Sequence, residues 1–173
     1  SITQVVTHKI VAVRTATAGE PAHLVYIGTL SPWQGLHQGL RCLSRLLHLD
    51  WRLSILTHAN DRWLRKLVRK LELDDRVTLR PPLPPRELGA FLHTCDIGLA
   101  PLTPGERNLV QGCMPVKLLD YARAGLAVVA PDLDVVRDVV APENPLYRAW
   151  SRTSMTEQLE HLITTDRAPI SAA

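Results

Sequence analysis

Five short apolar segments alternate with segments of helical periodicity along most of this chain. The apolar segments, each interpreted as a β-strand, are residues 23–28, 52–57, 76–79, 96–100 and 126–130. The helical segments are residues 35–49, 62–71, 84–93, 115–124, 135–140 and 153–165. This alternation predicts a parallel sheet with right-handed crossovers and helices on both faces. We therefore expect an α/β fold, a Rossmann-like doubly wound parallel sheet in a single domain.

The length of the chain bounds its domain organisation. A chain of 173 residues is long enough to bury one core of its own. Residues 1–22 fit the alternation poorly, and we interpret them as a linker or an N-terminal extension. Residues 23–173 are then predicted to form the folded domain.

Composition excludes several classes of partner. The net charge of only +3 does not indicate a nucleic-acid-binding protein. No apolar run reaches the roughly 18 residues that a membrane-spanning helix needs. Cys42, Cys95 and Cys113 lie far apart and lack the spacing of a zinc site. They therefore indicate three free thiols in a reducing compartment.

Two charged motifs could each bind a partner, but each also has a simpler structural interpretation. The segment 62–71 carries five cations beside an apolar side, so it could contact an anionic membrane surface or nucleic acid. The simpler interpretation is a solvated helix face over a packed one. Asp132 and Asp134 form an Asp-x-Asp triplet, but two carboxylates are a poor cage for a divalent cation, so we expect no metal site.

The segment 112–130 places two charges near the start of a helix. Pro115 suits the first helical position, Lys117 follows in the first turn, and Asp120 lies one turn later on the same face. A cation at a helix N-terminus opposes the helix dipole. An anion lying in front of that terminus would account for the lysine.

The predicted topology places these charged residues beside a crevice. In a doubly wound sheet the loops 28–35 and 101–114 follow neighbouring strands at the point where strand order reverses, and each leads into a helix N-terminus. Two helix N-termini directed at one crevice suit a diphosphate, and the Asp120 carboxylate suits ribose hydroxyls. A plain Lys117–Asp120 pair on a solvated helix face is the alternative.

Four blocks of the sequence together resemble a known family. The blocks are YIGTLSPWQG at 26–35, DRVTL at 75–79, CDIGLAPL at 95–102 and PVKLLDYARAGLAVVA at 115–130. In this order and spacing they are similar to the nucleotide-sugar-binding half of group 1 glycosyltransferases, which are retaining enzymes of GT-B fold. The resemblance covers about residues 23–165. It implies that residues 23–173 form a nucleotide-sugar-binding, Rossmann-like domain equivalent to the C-terminal half of such an enzyme.

The resemblance also implies a set of site residues. The donor-binding residues would be Gly28, Thr29, Gln34, Gly35, Leu83, Pro115, Val116, Lys117 and Asp120, and Lys117 would also be the catalytic residue. The glycine loop would approach the donor diphosphate, Lys117 would bind phosphate, and Asp120 would bind ribose. Three positions depart from the family: Thr29 replaces an arginine, Gln34 a lysine and Gly112 a glutamate. No metal and no cofactor are expected besides the nucleoside diphosphate sugar substrate.

The resemblance implies the donor-binding half of a hexosyltransferase that retains the configuration of the transferred sugar. Its partner would be an N-terminal acceptor-binding domain that is absent here, so the isolated domain should bind donor weakly and transfer nothing. One alternative is a degenerate, non-catalytic GT-B module that acts as a scaffold or as the partner of a separate acceptor-binding subunit. A GT-B-fold epimerase ranks last, because its acid–base residues have no clear counterpart.

Two expectations concern the surroundings of the domain. The parent protein would be cytoplasmic, with a peripheral contact to the cytoplasmic membrane face left open and no nucleic-acid partner. Because the last helices would pack near the absent half, we expect the following residues to be less well buried here than in the parent: Met155, Leu159, Leu162 and Ile163.

Overall fold

Five parallel strands form one sheet in the computed structural model, which describes residues 19–58, 61–104 and 116–165. The strands are β1 (Ala22–Ile27), β2 (Trp51–Leu56), β3 (Val77–Arg80), β4 (Ile97–Leu99) and β5 (Ala127–Val129). Their spatial order is β3-β2-β1-β4-β5, and every neighbouring pair is parallel. The predicted doubly wound parallel sheet is confirmed, and its strand order reverses between β1 and β4.

Helices cover both faces of the sheet. They are α1 (Leu36–Leu43), α2 (Arg62–Lys70), α3 (Pro85–Leu92), α4 (Val116–Ala124), α5 (Asp134–Arg137) and α6 (Arg152–Thr164). Leu24 and Tyr26 of β1 belong to the core that α1, α2 and α6 complete, whereas Val25 and Ile27 belong to the core beneath α3 and α4. Because alternate side chains of a strand point to opposite faces, β1, which is buried along its whole length, serves both cores.

The helix predicted at 35–49 ends six residues early, at Leu43. The chain then turns back toward β2, and side chains from elsewhere bind its carbonyl groups. The Arg76 guanidinium donates to the carbonyl oxygens of Leu47 at 2.7 Å and Leu49 at 2.5 Å, and the Trp51 indole donates to that of Leu46 at 2.8 Å. Tertiary hydrogen bonds therefore replace the helical ones that the leucine spacing predicted.

The last long helix, α6, corrects one expectation. Met155, Leu159, Leu162 and Ile163 are all buried, at 9% exposure or less. They lie in the same core as α1, because α6 packs against that helix and against β5. The expected loss of burial is therefore wrong, since the domain covers this face of α6 with its own residues.

The free edge of β5 is covered by an asparagine that sequence reasoning missed. Asn144 accepts from the Val128 amide at 2.8 Å and donates to the Val128 carbonyl at 2.9 Å. Gln158 of α6 donates to the same carbonyl at 3.1 Å. These side-chain amides satisfy the backbone groups that an edge strand would otherwise present to another chain. Within the described ranges, no helix is both long enough and apolar enough to cross a membrane.

Helix α4 lies against the sheet through one close contact. Gly98 of β4 faces the ring of Tyr121, and a Cβ atom at Gly98 would lie 2.4 Å from two ring carbons. The Tyr121 hydroxyl accepts from the Ile27 amide at 3.2 Å and donates to the Leu99 carbonyl at 3.0 Å. This fully buried tyrosine thereby ties α4 to both strands at the reversal point.

The Gly98→Ala variant should lose about 1–3 kcal/mol of unfolding free energy, because its methyl group overlaps a ring that has no room to move. Gly89→Ala is the matched control, since a Cβ there meets nothing within 4 Å on the exposed side of α3. That control should gain about 0.5–1 kcal/mol from helix propensity. Urea unfolding of both variants measures the difference. Equal stabilities would contradict the packing described.

His23 is a buried polar group at the start of β1. Its Nε2 atom lies 2.8 Å from the Ser54 hydroxyl, its Nδ1 atom lies 3.3 Å from the Thr94 carbonyl, and its ring meets the Phe91 ring edge-on. Burial, followed by the nearby Arg52 guanidinium, lowers the pKa of His23 below its usual value of 6.5. The folded state thus favours the neutral imidazole.

Stability should fall as the pH drops below about 6.5, because the unfolded chain then binds a proton that the folded chain excludes at His23. His23→Gln should make this decline shallower. His93→Gln, at an exposed position, should leave it unchanged. The measurement is the urea midpoint between about pH 5 and pH 8. A wild-type decline that persists in full in His23→Gln would rule His23 out as its source.

Candidate functional site

The two loops predicted to form one crevice meet at the carboxyl edge of the sheet. Gly35 adopts a left-handed φ of 71°, and a Cβ atom there would lie only 1.6 Å from the Pro101 carbonyl oxygen. Thr103 strengthens this contact, since its amide donates to the Trp33 carbonyl and its hydroxyl to the Pro32 carbonyl, both at 3.1 Å. The loop after β1 and the described start of the loop after β4 therefore form one continuous wall.

Lys117 reaches across this edge from α4. Its ammonium nitrogen lies 3.2 Å from the position that a Cβ of Gly28 would occupy and 4.0 Å from the centre of the Tyr26 ring. The residue is buried, and in the part of the chain that the structure describes Nζ has no hydrogen-bond partner. Burial lowers the pKa of Lys117 from 10.5 to about 7, because the charged form loses its hydration.

Tyr26 joins Lys117 to the glycine loop. The Tyr26 hydroxyl donates to the Thr29 carbonyl, and the face of the same ring lies under the lysine. The resemblance included Tyr26 in its first block without giving it a role. The apolar run of β1 indicated burial of this residue, but no sequence signal indicated that its ring would meet a lysine from a helix 91 positions later.

Asp120 lies one turn beyond Lys117 and is partly buried. Burial raises the pKa of this carboxyl group, and the neighbouring Arg123 opposes the shift. Among the described residues Lys117 and Asp120 form no ion pair, because Nζ points to the glycine loop instead. The alternative of a plain lysine–aspartate pair on a solvated face therefore does not describe this helix.

The remaining predicted site residues are spread around the same edge. Gly28 and Thr29 are exposed in the loop, and the Thr29 hydroxyl lies 3.2 Å from that of Ser31. Gln34 is buried, and its side-chain oxygen has no hydrogen-bond partner among the described residues. Leu83 is partly buried against the core beneath α3, and Val116 is 70% exposed at the start of α4. Pro115 and Gly112 lie outside the described residues.

Thr57 is a polar group at this edge that sequence reasoning did not single out. It follows β2 directly, and its buried hydroxyl has no hydrogen-bond partner within the described ranges. The neighbouring Leu56 carbonyl accepts from the Gly28 amide at 3.2 Å, which places Thr57 beside the glycine loop. Three polar side-chain atoms without a hydrogen-bond partner among the described residues therefore lie at the carboxyl edge of the sheet, on Thr57, Gln34 and Lys117.

The Asp-x-Asp triplet is occupied by an arginine. Arg137 donates to Asp132 at 2.6 Å and forms a second ion pair with Asp134. Both carboxylates are therefore paired with a cation from the same short helix. The part of the chain that is described contains no group of three or more residues able to hold a metal ion.

Comparison with known families decides the identity of the fold. The family model described as "Glycosyl transferases group 1" matches residues 21–165. The chain belongs to the group 1 glycosyltransferases. Its curated relatives include WcaL, a glycosyltransferase assigned to colanic acid biosynthesis, from Escherichia coli K12 and from Salmonella typhimurium. The first is 26% identical over 161 residues and the second 24% over 154 residues.

This group 1 domain spans less than half of those relatives. It is matched over 87% of its own length but only 39% of the E. coli protein. Sucrose-phosphate synthase from Thermosynechococcus elongatus superposes with a TM-score of 0.71 at 16% identity, over 88% of this chain and 38% of that one. The C-terminal domain of the group 1 protein LpcC from Francisella tularensis superposes at 0.64 and 15% identity, over 84% and 78%. The fold predicted for the C-terminal half of a GT-B enzyme is confirmed.

In the group 1 domain, Gly35→Ala should separate the two loops, because no side-chain carbon fits beside the Pro101 carbonyl. Gly19→Ala is the matched control. It also has a positive φ, of 96°, but a Cβ there meets nothing within 4 Å. We expect Gly35→Ala to lose at least about 2 kcal/mol in urea unfolding and Gly19→Ala about 1 kcal/mol. Equal losses would show that backbone strain, and not the close approach, is what requires glycine at position 35.

Proposed function

We propose that this domain is the donor-binding half of a retaining glycosyltransferase and holds a nucleoside diphosphate sugar at the carboxyl edge of its sheet. The observation that carries the proposal is Lys117, a buried amine beside a glycine loop with no partner in the described residues. A buried cation requires an anion to offset its lost hydration. A diphosphate that enters between Gly28 and α4 would supply that anion.

The chemistry of sugar transfer gives Lys117 a catalytic role. When the bond between the anomeric carbon and the diphosphate oxygen breaks, negative charge develops on the leaving diphosphate. An ammonium placed beforehand in a site that excludes water stabilises that charge more than an exposed one would. Gly28 lacks a side chain, so phosphate oxygens can approach the backbone and Lys117 together. We assign Lys117 as the catalytic residue on this basis.

We propose the other donor contacts from the family resemblance together with the positions of the described side chains. Asp120, one turn along α4, accepts from the ribose hydroxyls. Thr29 and Gln34 offer uncharged hydrogen bonds to phosphate, while Gly35 precedes α1 and Val116 begins α4. Pro115 is assigned to the donor site from the family resemblance alone. Leu83 contacts the base after β3. We expect no metal, since Arg137 already occupies the Asp132–Asp134 pair.

The acceptor would be bound by a separate N-terminal domain. The Anabaena protein HepE, 39% of which superposes on this chain at a TM-score of 0.68 and 15% identity, is described in complex with UDP-glucose. By analogy we propose a hexosyl donor of that class. The described cysteines, Cys42 and Cys95, are buried thiols that form no disulfide with each other, which is consistent with the reducing compartment proposed for the parent protein. No observation supports the membrane contact considered above.

A second candidate function is a non-catalytic module that serves as a scaffold or as the partner of a separate acceptor-binding subunit. The observation that favours it is the uncharged loop, because Thr29 and Gln34 replace two cations of the family pattern. Such a module would keep the fold but bind the donor diphosphate poorly. Donor affinity therefore separates the two functions.

Calorimetry with UDP-glucose, GDP-glucose and ADP-glucose tests the proposal, and Lys117→Met is the decisive variant. Losing one charged hydrogen bond should weaken binding tenfold to about 150-fold, since such bonds contribute about 1.5–3 kcal/mol. The same variant should unfold at higher urea concentration, because it removes a buried amine that has no partner. Binding and stability should thus change in opposite directions.

The matched control is Lys66→Met, which removes an exposed lysine of α2 and should change neither quantity. If none of the three donors binds at millimolar concentration, the donor site is wrong and the non-catalytic module is favoured. If Lys117→Met loses stability and keeps its affinity, the lysine is structural.

A further inference from the structure

Lys117 lies buried between an aromatic ring and the glycine loop, and this arrangement favours a change of protonation on binding. Its Nζ atom lies 4.0 Å from the centre of the Tyr26 ring on one side and beside Gly28 on the other. Building on the donor site proposed above, we propose that the donor diphosphate binds together with a proton, which Lys117 takes up on the face of Tyr26.

Among the residues that the structure describes, no charged group compensates an ammonium at Lys117. Tyr26 of β1 and Tyr121 of α4 are buried, and burial raises the pKa of both hydroxyls, so both are neutral near pH 7. Asp120 of the same helix makes no ion pair with Lys117 among the described residues and interacts with Arg123. Cys95, just before β4, also lies near Tyr121 as a buried thiol. Among these groups none supplies a carboxylate within ion-pair distance of Nζ.

Burial alone brings the pKa of Lys117 to about 7. Near neutrality and without donor, the Lys117 side chain is therefore a mixture of amine and ammonium. A bound diphosphate favours the ammonium and raises the pKa, so above about pH 7 each binding event must take up a proton. Affinity should be greatest below pH 7 and should fall above it by up to tenfold for each pH unit, until the total loss equals that expected for Lys117→Met.

Tyr26 is a positioning residue in this scheme. Its ring stabilises the ammonium by a cation–π contact, and its hydroxyl holds the Thr29 carbonyl of the glycine loop. Tyr26→Phe keeps the ring and should keep the pH profile. Tyr26→Leu removes the ring, so the fall in affinity should begin about 0.5–1 pH unit lower. A purely structural role for Tyr26 would weaken both variants without moving the profile.

The experiment measures the affinity of UDP-glucose, GDP-glucose and ADP-glucose for the 173-residue chain from about pH 6 to pH 8.5. Sugar diphosphates are suitable probes because their phosphates do not titrate in this range, whereas the terminal phosphate of a free nucleoside diphosphate does. At about pH 8 the binding heat is measured in Hepes and in Tris, whose ionisation enthalpies differ. The dependence of heat on buffer gives the number of protons taken up, expected to be about one.

Three outcomes are distinguishable. A fall in affinity above pH 7 of up to tenfold per pH unit, together with proton uptake at about pH 8, supports the inference if Lys117→Met abolishes both and Lys66→Met retains both. Binding at every pH with constant affinity and no buffer dependence overturns it and leaves the donor site standing. A failure of all three donors to bind at about pH 6.5, where Lys117 is charged, overturns the donor site itself and this inference with it.

Discussion

The packing of Tyr121 on Gly98 determines where the candidate site can be. Strands β1 and β4 pair through Leu24–Ile97 and Val25–Gly98, and their pairing stops there. The Tyr121 hydroxyl then accepts a hydrogen bond from the Ile27 amide and donates one to the Leu99 carbonyl. These two backbone groups would otherwise have continued the ladder between the strands. A side chain from α4 thus occupies the point where the two strands separate. The crevice opens at this point, and α4 lies along it.

The position of α4 in turn fixes the lysine. Lys117 precedes Tyr121 by four residues, so the two side chains lie on one face of the helix. When the Tyr121 ring is buried on Gly98, Lys117 must extend over the end of β1, where it meets Gly28 and Tyr26. One tight contact in the core therefore places a cation at the mouth of the crevice, and the cation loses its hydration as a result.

The sequence was sufficient to predict what depends on periodicity and chain order. The alternation of segments predicted the sheet, and the loops of Gly35 and Pro101 were expected to meet. The sequence was insufficient where the local structure depends on hydrogen bonds from side chains that are distant in the chain. Arg76 binds carbonyl groups of the segment after the first helix, Asn144 covers an edge strand from 16 positions away, and no local pattern indicates either contact. The burial of Lys117 was also missed, because its sequence neighbours indicate only a half-polar helix.

The charge balance of the proposed site follows from that burial. Thr29 and Gln34 are uncharged where the family resemblance would lead one to expect cations, so in the proposed site one lysine would hold the diphosphate largely alone. Two exposed cations would interact with phosphate through water, where each contributes little. A single buried cation interacts through a medium of low dielectric constant and contributes more, but its charged state is unfavourable until the anion arrives. In a site with one buried cation, that cation therefore interacts more strongly with the diphosphate than an exposed cation would. Binding also becomes dependent on protonation of the lysine, whereas an exposed arginine would always be charged.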